Sequence, residues 1–404
     1  MDDPRAKSLS ARFRRTFSRR TTSGRFIAEI DGLRFPAIAI VALGHLSAFF
    51  TVRGNYAPSH APLDRLATAL PNYAPLGVVL FFIISGFVLA LPFAQHYRGD
   101  GARVSLRSYF LRRLTRLEPP YLLTLAALMG LEIVAGMHHI AGRTETPGEV
   151  LRHGAASAAY LHNLIFATMS TINPPAWSLE VEVQFYILVP MLALVFRVHS
   201  AAARRSLIVI GALAAIAVQL TAGPTHPRIA LSIVGHLQFF LVGFVLADLY
   251  LFAEMRDLTG TYRWDLVSIA GWVAIFALWH GGPWATVALP FVALTTFVAV
   301  FRGRMTNRLF CNGWITTLGG MCYSIYLIHL ELIAALARLI RHVVRPTGTL
   351  WVDFLVEGVP VLLVTLVVCI AFYYLVERPC MDRQWPRRLF AFLRGAPELR
   401  THVT

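Results

Sequence analysis

The sequence predicts an all-α, polytopic helical membrane protein with about ten transmembrane helices and both termini in the cytoplasm. Hydrophobic residues make up 56% of the 404 residues and charged residues 15%, whereas soluble domains carry roughly 25% charged residues. The mean hydropathy is +0.58. Apolar runs of about 17–25 residues, long enough for a helix to cross a bilayer, recur along the chain.

The apolar runs define the predicted spans. In chain order they are 33–53, 74–93, 119–137, 178–198, 206–223, 229–252, 264–281, 284–301, 314–339 and 352–376. The stretch 151–170 is also apolar but contains Arg152, His153, His162 and Asn163. This mixture predicts an interfacial or re-entrant segment, and an eleventh span at this place stays open.

Arginines concentrate in alternate connecting segments, and this alternation predicts the orientation. The arginine-rich segments are the N-terminal arm, 98–116, 197–205, 256–263, 302–308 and the C-terminal tail. Cytoplasmic loops carry the excess of Lys and Arg, so both termini are expected inside and the number of spans even. The predicted organisation is a basic cytoplasmic arm (1–28), a membrane domain (29–380) and a cytoplasmic tail (381–404).

The formal net charge of +15 follows from these arginines. They gather at helix ends rather than in an aromatic-laced patch, so the expected partner is the lipid bilayer and not a nucleic acid. The four cysteines form no CxxC and no Cys/His ligand spacing. Neither a disulfide framework nor a metal site is therefore expected.

The first span contains two ionisable residues on one face. From Arg34 to His45 a helix rotates back to within about 20° and rises about 16 Å. Arg34 is then expected near the cytoplasmic boundary and His45 about half-way across. Ionisable groups inside a span usually face the protein interior and mark a functional site. The alternative is a neutral histidine that is hydrogen-bonded within the bundle.

The segment SYFLRRLTRLEPPYLLTL, 108–125, enters the third span from the cytoplasm. Its prolines, Pro119 and Pro120, suit the first turn of a membrane helix. Arg112, Arg113 and Arg116 precede them, where guanidinium groups could bind the phosphates of a ligand. The alternative is an ordinary cluster of cytoplasmic positive charge.

The segment NPPAWSLEVEVQFYILVP, 173–190, places two acids, Glu180 and Glu182, near the outer mouth of the fourth span. Ser178 and Glu182 share a helix face at i,i+4 spacing. Acids at this depth are costly unless they are solvated, paired or used. Trp177 is either part of the same site or an interfacial anchor.

The ninth span carries the segment GGMCYSIYLIHLELI, 319–333. Tyr326 and His329 are three positions apart (i,i+3), so both are expected to face one cavity. His329 is expected at a depth similar to that of His45. The alternative is a set of polar groups that pack helices together.

Six segments taken in order resemble one known family. They are DGLRFPAIAIVALGH, FFIISGF, FLRRLTRLEPPYLL, PAWSLEVEVQFYILVP, YSIYLIHLEL and YYLVERP. In this order they closely resemble the acyltransferase-3 family of integral membrane O-acyltransferases, over roughly residues 29–382. The resemblance implies a membrane bundle that moves acyl groups, commonly acetyl from acetyl-CoA. It implies acceptors such as hydroxyls of lipopolysaccharide, peptidoglycan, exopolysaccharides and glycolipids, or of small molecules such as macrolides.

The resemblance also assigns roles to individual residues. The family's Arg/His pairing falls on Arg34 and His45, and its Arg-x-x-Arg pair falls on Arg113 and Arg116. Its Trp-Ser-Leu motif falls on Trp177, Ser178 and Glu182, and its Tyr/His motif falls on Tyr326 and His329. Its closing triplet falls on Glu377, Arg378 and Pro379. Phe35-Pro36 departs from the usual pattern. Val183 replaces a second acid, which favours Glu182 as the functional acid. The chain ends at Thr404, so a fused SGNH-type domain is not expected on it.

These roles predict a mechanism. The co-substrate acyl-CoA, with no tightly bound cofactor and no metal, docks its phosphates on Arg113 and Arg116 with help from Arg34. His45 acts as general base on the acceptor hydroxyl, and a transient acyl-histidine stays open. Glu182, Tyr326 and His329 complete the catalytic site.

In the same prediction, Trp177 and Ser178 bind substrate, and the enzyme sits in the bacterial cytoplasmic (inner) membrane. The acceptor is a cell-envelope or exported glycan, or alternatively a small molecule. A proton-coupled transporter or flippase is the rival class, in which Arg34, Glu182 and His45 form a substrate or proton path.

Overall fold

The computed structural model describes residues 26–53, 61–99, 101–135, 145–251, 260–344, 347–382 and 385–386. The predicted N-terminal arm and C-terminal tail lie almost entirely outside the described residues. Within the described ranges the chain is helical, and the only β-type contact is an isolated bridge between Thr261 and Gly303.

Ten long helices follow one another in the described part of the chain. They are α1 Ala28–Arg53, α2 Ala74–Tyr97, α3 Leu106–Ala135, α4 Trp177–Leu192, α5 Ala201–Thr221, α6 Ile233–Leu251, α7 Tyr262–Leu278, α8 Pro283–Arg302, α9 Cys322–Val343 and α10 Val359–Phe372. Shorter helices include Pro62–Ala69, Pro147–Ala158, His162–Phe166, Met305–Phe310 and Gly313–Gly320. Two π-helical turns, Phe354–Gly358 and Tyr373–Glu377, flank α10.

Nine of the described helices, taken with their short flanking turns, are long and apolar enough to cross a membrane. The remaining predicted span, 264–281, corresponds to α7, which has 17 residues. The predicted class, a polytopic helical membrane protein, is confirmed. The stretch 151–170 forms no eleventh span in the described residues, because it divides into helices of 12 and 5 residues.

Two helices begin earlier than the sequence predicts. Helix α1 begins at Ala28 instead of residue 33, and within its first turns Asp31 forms an ion pair with Arg34. Helix α3 begins at Leu106 instead of residue 119, so its two prolines lie within the helix and not in the first turn.

Pro119, the first of the two prolines in α3, is accommodated by a tertiary hydrogen bond. Pro119 has no N–H to donate to the carbonyl of Thr115, four residues earlier. The indole N–H of Trp385 donates to that carbonyl oxygen instead, at 2.8 Å. The freed backbone acceptor is thus satisfied, as a helix within a bilayer requires.

Helix α2 lies at the centre of the bundle, packed against α1, α4 and α6. Its contact with α6 is close because glycines face backbone at the crossing. A Cβ atom on Gly86 would lie 2.2 Å from the carbonyl oxygen of Phe240, and one on Gly243 would lie 2.3 Å from that of Ile83. Small residues allow such close approach of membrane helices, and this crossing holds α2 where its residues line the candidate site.

Candidate active site

Two histidines from distant helices meet inside the bundle. His45 on α1 places its Nδ1 at 2.8 Å from Nε2 of His329 on α9. The two rings are parallel within 2°. His329 is fully buried, whereas His45 is only partly buried. The sequence placed both histidines at a similar depth, and the structure brings them into direct contact.

The hydrogen bonds of His329 define the protonation of the pair. Its Nδ1 lies 2.9 Å from the carbonyl oxygen of Ile325 and 3.0 Å from that of Tyr326. A carbonyl accepts only, so this nitrogen carries a hydrogen and Nε2 of the neutral ring is an acceptor. His45 must then donate from Nδ1, which leaves its own Nε2 with a lone pair. This is the tautomer that a general base requires.

Tyr326 and Ser178 form a second hydrogen-bonded unit beside this pair. Their hydroxyl oxygens lie 2.6 Å apart, and the Tyr326 hydroxyl donates to the carbonyl of Pro175. Since that donation uses the phenolic hydrogen, Ser178 donates to the tyrosine oxygen. The ring centroids of Tyr326 and His329 lie 6.1 Å apart. The structure thus joins α4 to α9 immediately beside the histidines.

A cavity of about 690 Å³, here called the arginine cavity, reaches this unit. Its described lining includes five arginines and two carboxylates: Arg34, Arg103, Arg112, Arg113, Arg116, Asp31 and Glu182. Ser178 and Tyr326 also line it, whereas His45 and His329 do not. Tyr326 therefore lies both on the wall of the arginine cavity and next to the histidine pair, and Ser178 is hydrogen-bonded to it.

Each of the three predicted donor-binding arginines is held by a neighbour. Arg34 forms an ion pair with Asp31. Arg113 donates to the carbonyl of Tyr109 at 3.0 Å and lies 3.8 Å above the ring of the same tyrosine. Arg116 lies 3.6 Å from Glu377. Such anchoring fixes guanidinium groups in place and so favours recognition of phosphate by planar, bidentate contacts.

Glu377 is the acid of the closing Glu-Arg-Pro triplet, and it lies in the π-helical turn Tyr373–Glu377. It is fully buried and accepts from both the backbone N–H and the hydroxyl of Ser324, at 3.1 and 2.6 Å. Its other oxygen faces Arg116. The triplet therefore anchors the arginine cluster of α3 to the first turn of α9.

Glu182 lines the arginine cavity, which neither His45 nor His329 lines. Its carboxylate accepts from Ser85 Oγ of α2 at 2.6 Å. Glu180, its neighbour two residues earlier, is fully buried and accepts from the backbone N–H of Asn163 at 2.8 Å. The two acids therefore have different roles. Glu180 supports the hairpin of short helices, and Glu182 faces the cavity.

Trp177 is not part of the arginine cavity lining. Its ring packs against His236, with centroids 5.4 Å apart, and against Phe82 at 6.3 Å. Its carbonyl oxygen accepts from the Asn163 side chain at 2.9 Å. Of the predicted site residues the structure thus brings Ser178, Tyr326, His45 and His329 together, and groups Glu182 with the three arginines (Arg34, Arg113 and Arg116), while Trp177 lies to one side.

Several residues of the site were not singled out from the sequence. Asp31 carried a signal, because it precedes Arg34 by three residues and can pair with it on a helix. Ser85 and Tyr109 lie within quoted segments, but nothing in their spacing shows that they contact Glu182 and Arg113. Among the residues that the structure describes, no three His, Cys, Asp or Glu side chains are grouped to hold a metal ion.

Comparison with known proteins defines the class to which this fold and site belong. The acyltransferase domain of the acyltransferase-3 family matches residues 27–374. The chain therefore belongs to this family, and the expectation of a membrane-embedded acyltransferase is confirmed at that level.

Individual relatives are distant. The chain is 23% identical to the O-acetyltransferase OatA of Staphylococcus aureus (strain COL) over 342 aligned positions, and the match covers 77% of this chain and 51% of that protein. It is also 22% identical over 340 aligned positions to a putative O-acetyltransferase of the same strain. This match again covers 77% of this chain and 51% of that protein. The chain spans about half the length of these curated relatives. No solved structure matches it.

Proposed function

We propose that this chain transfers an acyl group, with acetyl as the simplest case, from acyl-CoA to a hydroxyl of a cell-envelope or exported glycan at the bacterial cytoplasmic membrane. One observation carries the proposal. An arginine-lined cavity ends at Ser178 and Tyr326, directly beside a histidine pair whose partly accessible member, His45, keeps a free nitrogen lone pair. The names of the two S. aureus relatives support acetyl as the group transferred.

The donor is proposed to bind by its phosphates. The described lining of the arginine cavity has an excess of three positive charges, from five arginines against two carboxylates. Guanidinium groups recognise phosphate by paired hydrogen bonds. Arg34 lies about 16 Å along α1 from His45, so phosphates bound there leave the extended arm of CoA to reach towards Ser178 and Tyr326.

The reaction then needs a base and a group that polarises the thioester. His45 Nε2 removes the proton of the acceptor hydroxyl as its oxygen attacks the thioester carbon. The carbon–oxygen bond forms, the carbon–sulfur bond breaks, and the proton leaves with the thiol of CoA. Ser178 and Tyr326 hold hydroxyl groups next to this position. The Tyr326 hydrogen is held by the carbonyl of Pro175, so Ser178 is the group that can turn from the Tyr326 oxygen and donate to the developing oxyanion. His329 orients His45 through the bond between them.

The acceptor is proposed to approach from the side of the histidine pair. If both termini are cytoplasmic, Arg34 lies near the cytoplasm and His45 deeper in the membrane, so a cytoplasmic donor serves an acceptor that arrives from the opposite face. The acceptor is then expected to contact the segments that connect α1 to α2 and α3 to α4. A small-molecule hydroxyl is the second candidate of the same chemistry.

The test uses the purified chain in lipid nanodiscs. Acetyl-CoA is supplied with a total envelope-glycan extract, and free thiol is measured. An acyltransferase releases CoA in proportion to ester formed on the glycan, which mass spectrometry detects as added acetyl mass. A transporter or flippase, the rival class, releases none, and that result would reject the proposal.

A further inference from the structure

A second cavity branches from the arginine cavity. Its volume is about 290 Å³, and it lies between α3 and α4. The two cavities share six lining residues: Arg113, Leu117, Leu179, Glu182, Tyr186 and Tyr323. We call it the side cavity. Its own residues are the apolar Phe110, Leu114, Val183 and Ile187, together with Glu118 and Tyr160, whose side chains are hydrogen-bonded to each other. The branch therefore leads away from the arginines between mainly apolar side chains.

The polar groups on its wall are turned to other partners. The Tyr323 hydroxyl donates to the carbonyl of Leu117 at 2.7 Å. Glu182 accepts from Ser85, and the guanidinium of Arg113 is stacked on Tyr109. The groups that face the space are mainly aliphatic chains and aromatic rings. Such a wall selects an apolar occupant, because burying a polar group there without a partner is costly.

The side cavity reaches the lipid-facing surface of the bundle. The Leu114 side chain on α3 is 53% exposed and that of Ile187 on α4 is 63% exposed. Both belong to helices that are long and apolar enough to span a membrane. A hydrocarbon chain can therefore extend from the arginine cavity towards the exposed apolar side chains of α3 and α4.

The position of the branch matches the shape of a thioester. Leu179, which both cavities share, directly follows Ser178, the residue at the proposed reaction point. Three groups surround a thioester carbon at this point. The sulfur of CoA lies towards the arginines, the attacking oxygen of the acceptor lies towards the histidine pair, and the acyl chain needs a third space. The side cavity supplies the third direction.

We infer that the side cavity holds the hydrocarbon chain of an acyl-CoA longer than acetyl, so that this protein binds and transfers acyl groups of medium length. The inference rests on the proposed function, because it requires CoA to bind in the arginine cavity. The bonds that change are the same as for acetyl: the acyl carbon loses sulfur and gains the acceptor oxygen, and the thiol takes the proton.

Binding measurements separate the inference from the proposed function. Affinities of CoA, acetyl-CoA and octanoyl-CoA are measured by isothermal titration on the chain in nanodiscs, with empty nanodiscs subtracted. Because burial of methylene groups is favourable, octanoyl-CoA is expected to bind at least ten-fold more tightly than acetyl-CoA. If CoA and both thioesters all fail to bind, the proposed function is rejected. If acetyl-CoA and octanoyl-CoA bind equally, only the inference is rejected.

The matched variants are V183W and M191W, both on α4. Val183 lines the side cavity but not the arginine cavity. Met191, which is 60% exposed, lines neither cavity. V183W is expected to abolish the ten-fold advantage of octanoyl-CoA while acetyl-CoA affinity is kept, and M191W to change neither. Equal loss for both thioesters, or no loss for octanoyl-CoA, would contradict the assignment.

A third measurement works on the unchanged chain if V183W does not fold. Octanoyl-CoA that carries a diazirine at the end of its chain is bound to the wild-type protein and irradiated. Labelled peptides are expected from 110–118 and 179–187. Label confined to other peptides would overturn the inference.

Discussion

His45 and His329 are 284 residues apart in the chain and share a hydrogen bond of 2.8 Å between Nδ1 and Nε2. The backbone carbonyls of Ile325 and Tyr326 accept from Nδ1 of His329, so this nitrogen is a donor. One residue of the pair is therefore a support and the other is the reactive member. Substitution of each should consequently have a different effect on the reaction.

His329 is expected to act as a positioning residue. H329Q keeps an acceptor for the Nδ1 hydrogen of His45, whereas H329A removes it. H329A should lower CoA release by about 10²-fold, within the range attributed to general base catalysis, and H329Q should lose less. The KM for acetyl-CoA is expected to stay unchanged in both, since neither histidine lines the arginine cavity. A rise in KM with unchanged kcat would contradict this role.

Glu377 is expected to be needed for stability, through Arg116 and Ser324. E377A leaves a partly buried guanidinium and two donors of Ser324 without their acceptor, at a cost of about 3 kcal/mol. E377Q retains an acceptor oxygen and should cost about 1 kcal/mol. Thermal unfolding in detergent, followed by intrinsic fluorescence, checks the order. Equal midpoints for E377A and the wild type would show that the ion pair does not hold α3 to α9.

The crossing of α2 and α6 is expected to tolerate no side chain. G243A places a Cβ atom 2.3 Å from the carbonyl oxygen of Ile83 and 2.5 Å from the backbone nitrogen of Phe87, so the helices must separate. The yield of monodisperse protein by size-exclusion chromatography should fall sharply. G130A is the control, because no atom lies within 4 Å of the added carbon. Normal yield of G243A would mean that the two helices pack less closely than described.

The hairpin Pro147–Ala158 and His162–Phe166 is expected to loosen in acid. His153 Nδ1 lies 2.8 Å from His162 Nε2. Burial, reinforced by His153 and opposed by the carbonyl of Thr168, lowers the pKa of His162 from its usual 6.5 to about 4. The unfolded hairpin therefore binds a proton first, so its stability is complete above pH 6.5 and declines as the pH falls towards 4.

Hydrogen exchange of the Asn163 amide, corrected for intrinsic rates, measures this effect. That amide donates to Glu180 and reports on the closed hairpin. Protection should be lower at pH 5 than at pH 7.5, and H162Q should remove most of the difference. A pH-independent protection factor in the wild type would contradict the prediction.

The sequence predicted the fold class and the set of membrane helices, because apolar length is a strong and local signal. It placed the starts of α1 and α3 too late, since Asp31, Arg34 and the prolines of α3 look like boundaries until their partners are known. The pairing of Asp31 with Arg34 is local, but the bond from Trp385 to Thr115 joins residues that no periodicity relates.

The candidate site shows the same division. Helical spacing placed Tyr326 and His329 on one face, and depth alone related His45 to His329. Spacing could not show that Ser178 bonds to Tyr326, that Glu377 closes on Arg116, or that Trp177 packs away from the cavity. These contacts depend on how α4, α9 and the turn after α10 meet, which is a property of the assembled bundle.

The central claim is that His45 is the base of an acyl transfer. Release of CoA from acetyl-CoA, in the presence of envelope-glycan extract, is compared for the wild type, H45A and H199A in nanodiscs. His199 is exposed at the surface, so H199A controls for loss of a histidine. We expect wild-type turnover for H199A and a loss of at least about 10²-fold for H45A, with acetyl-CoA binding retained. Wild-type turnover by folded H45A would contradict the claim.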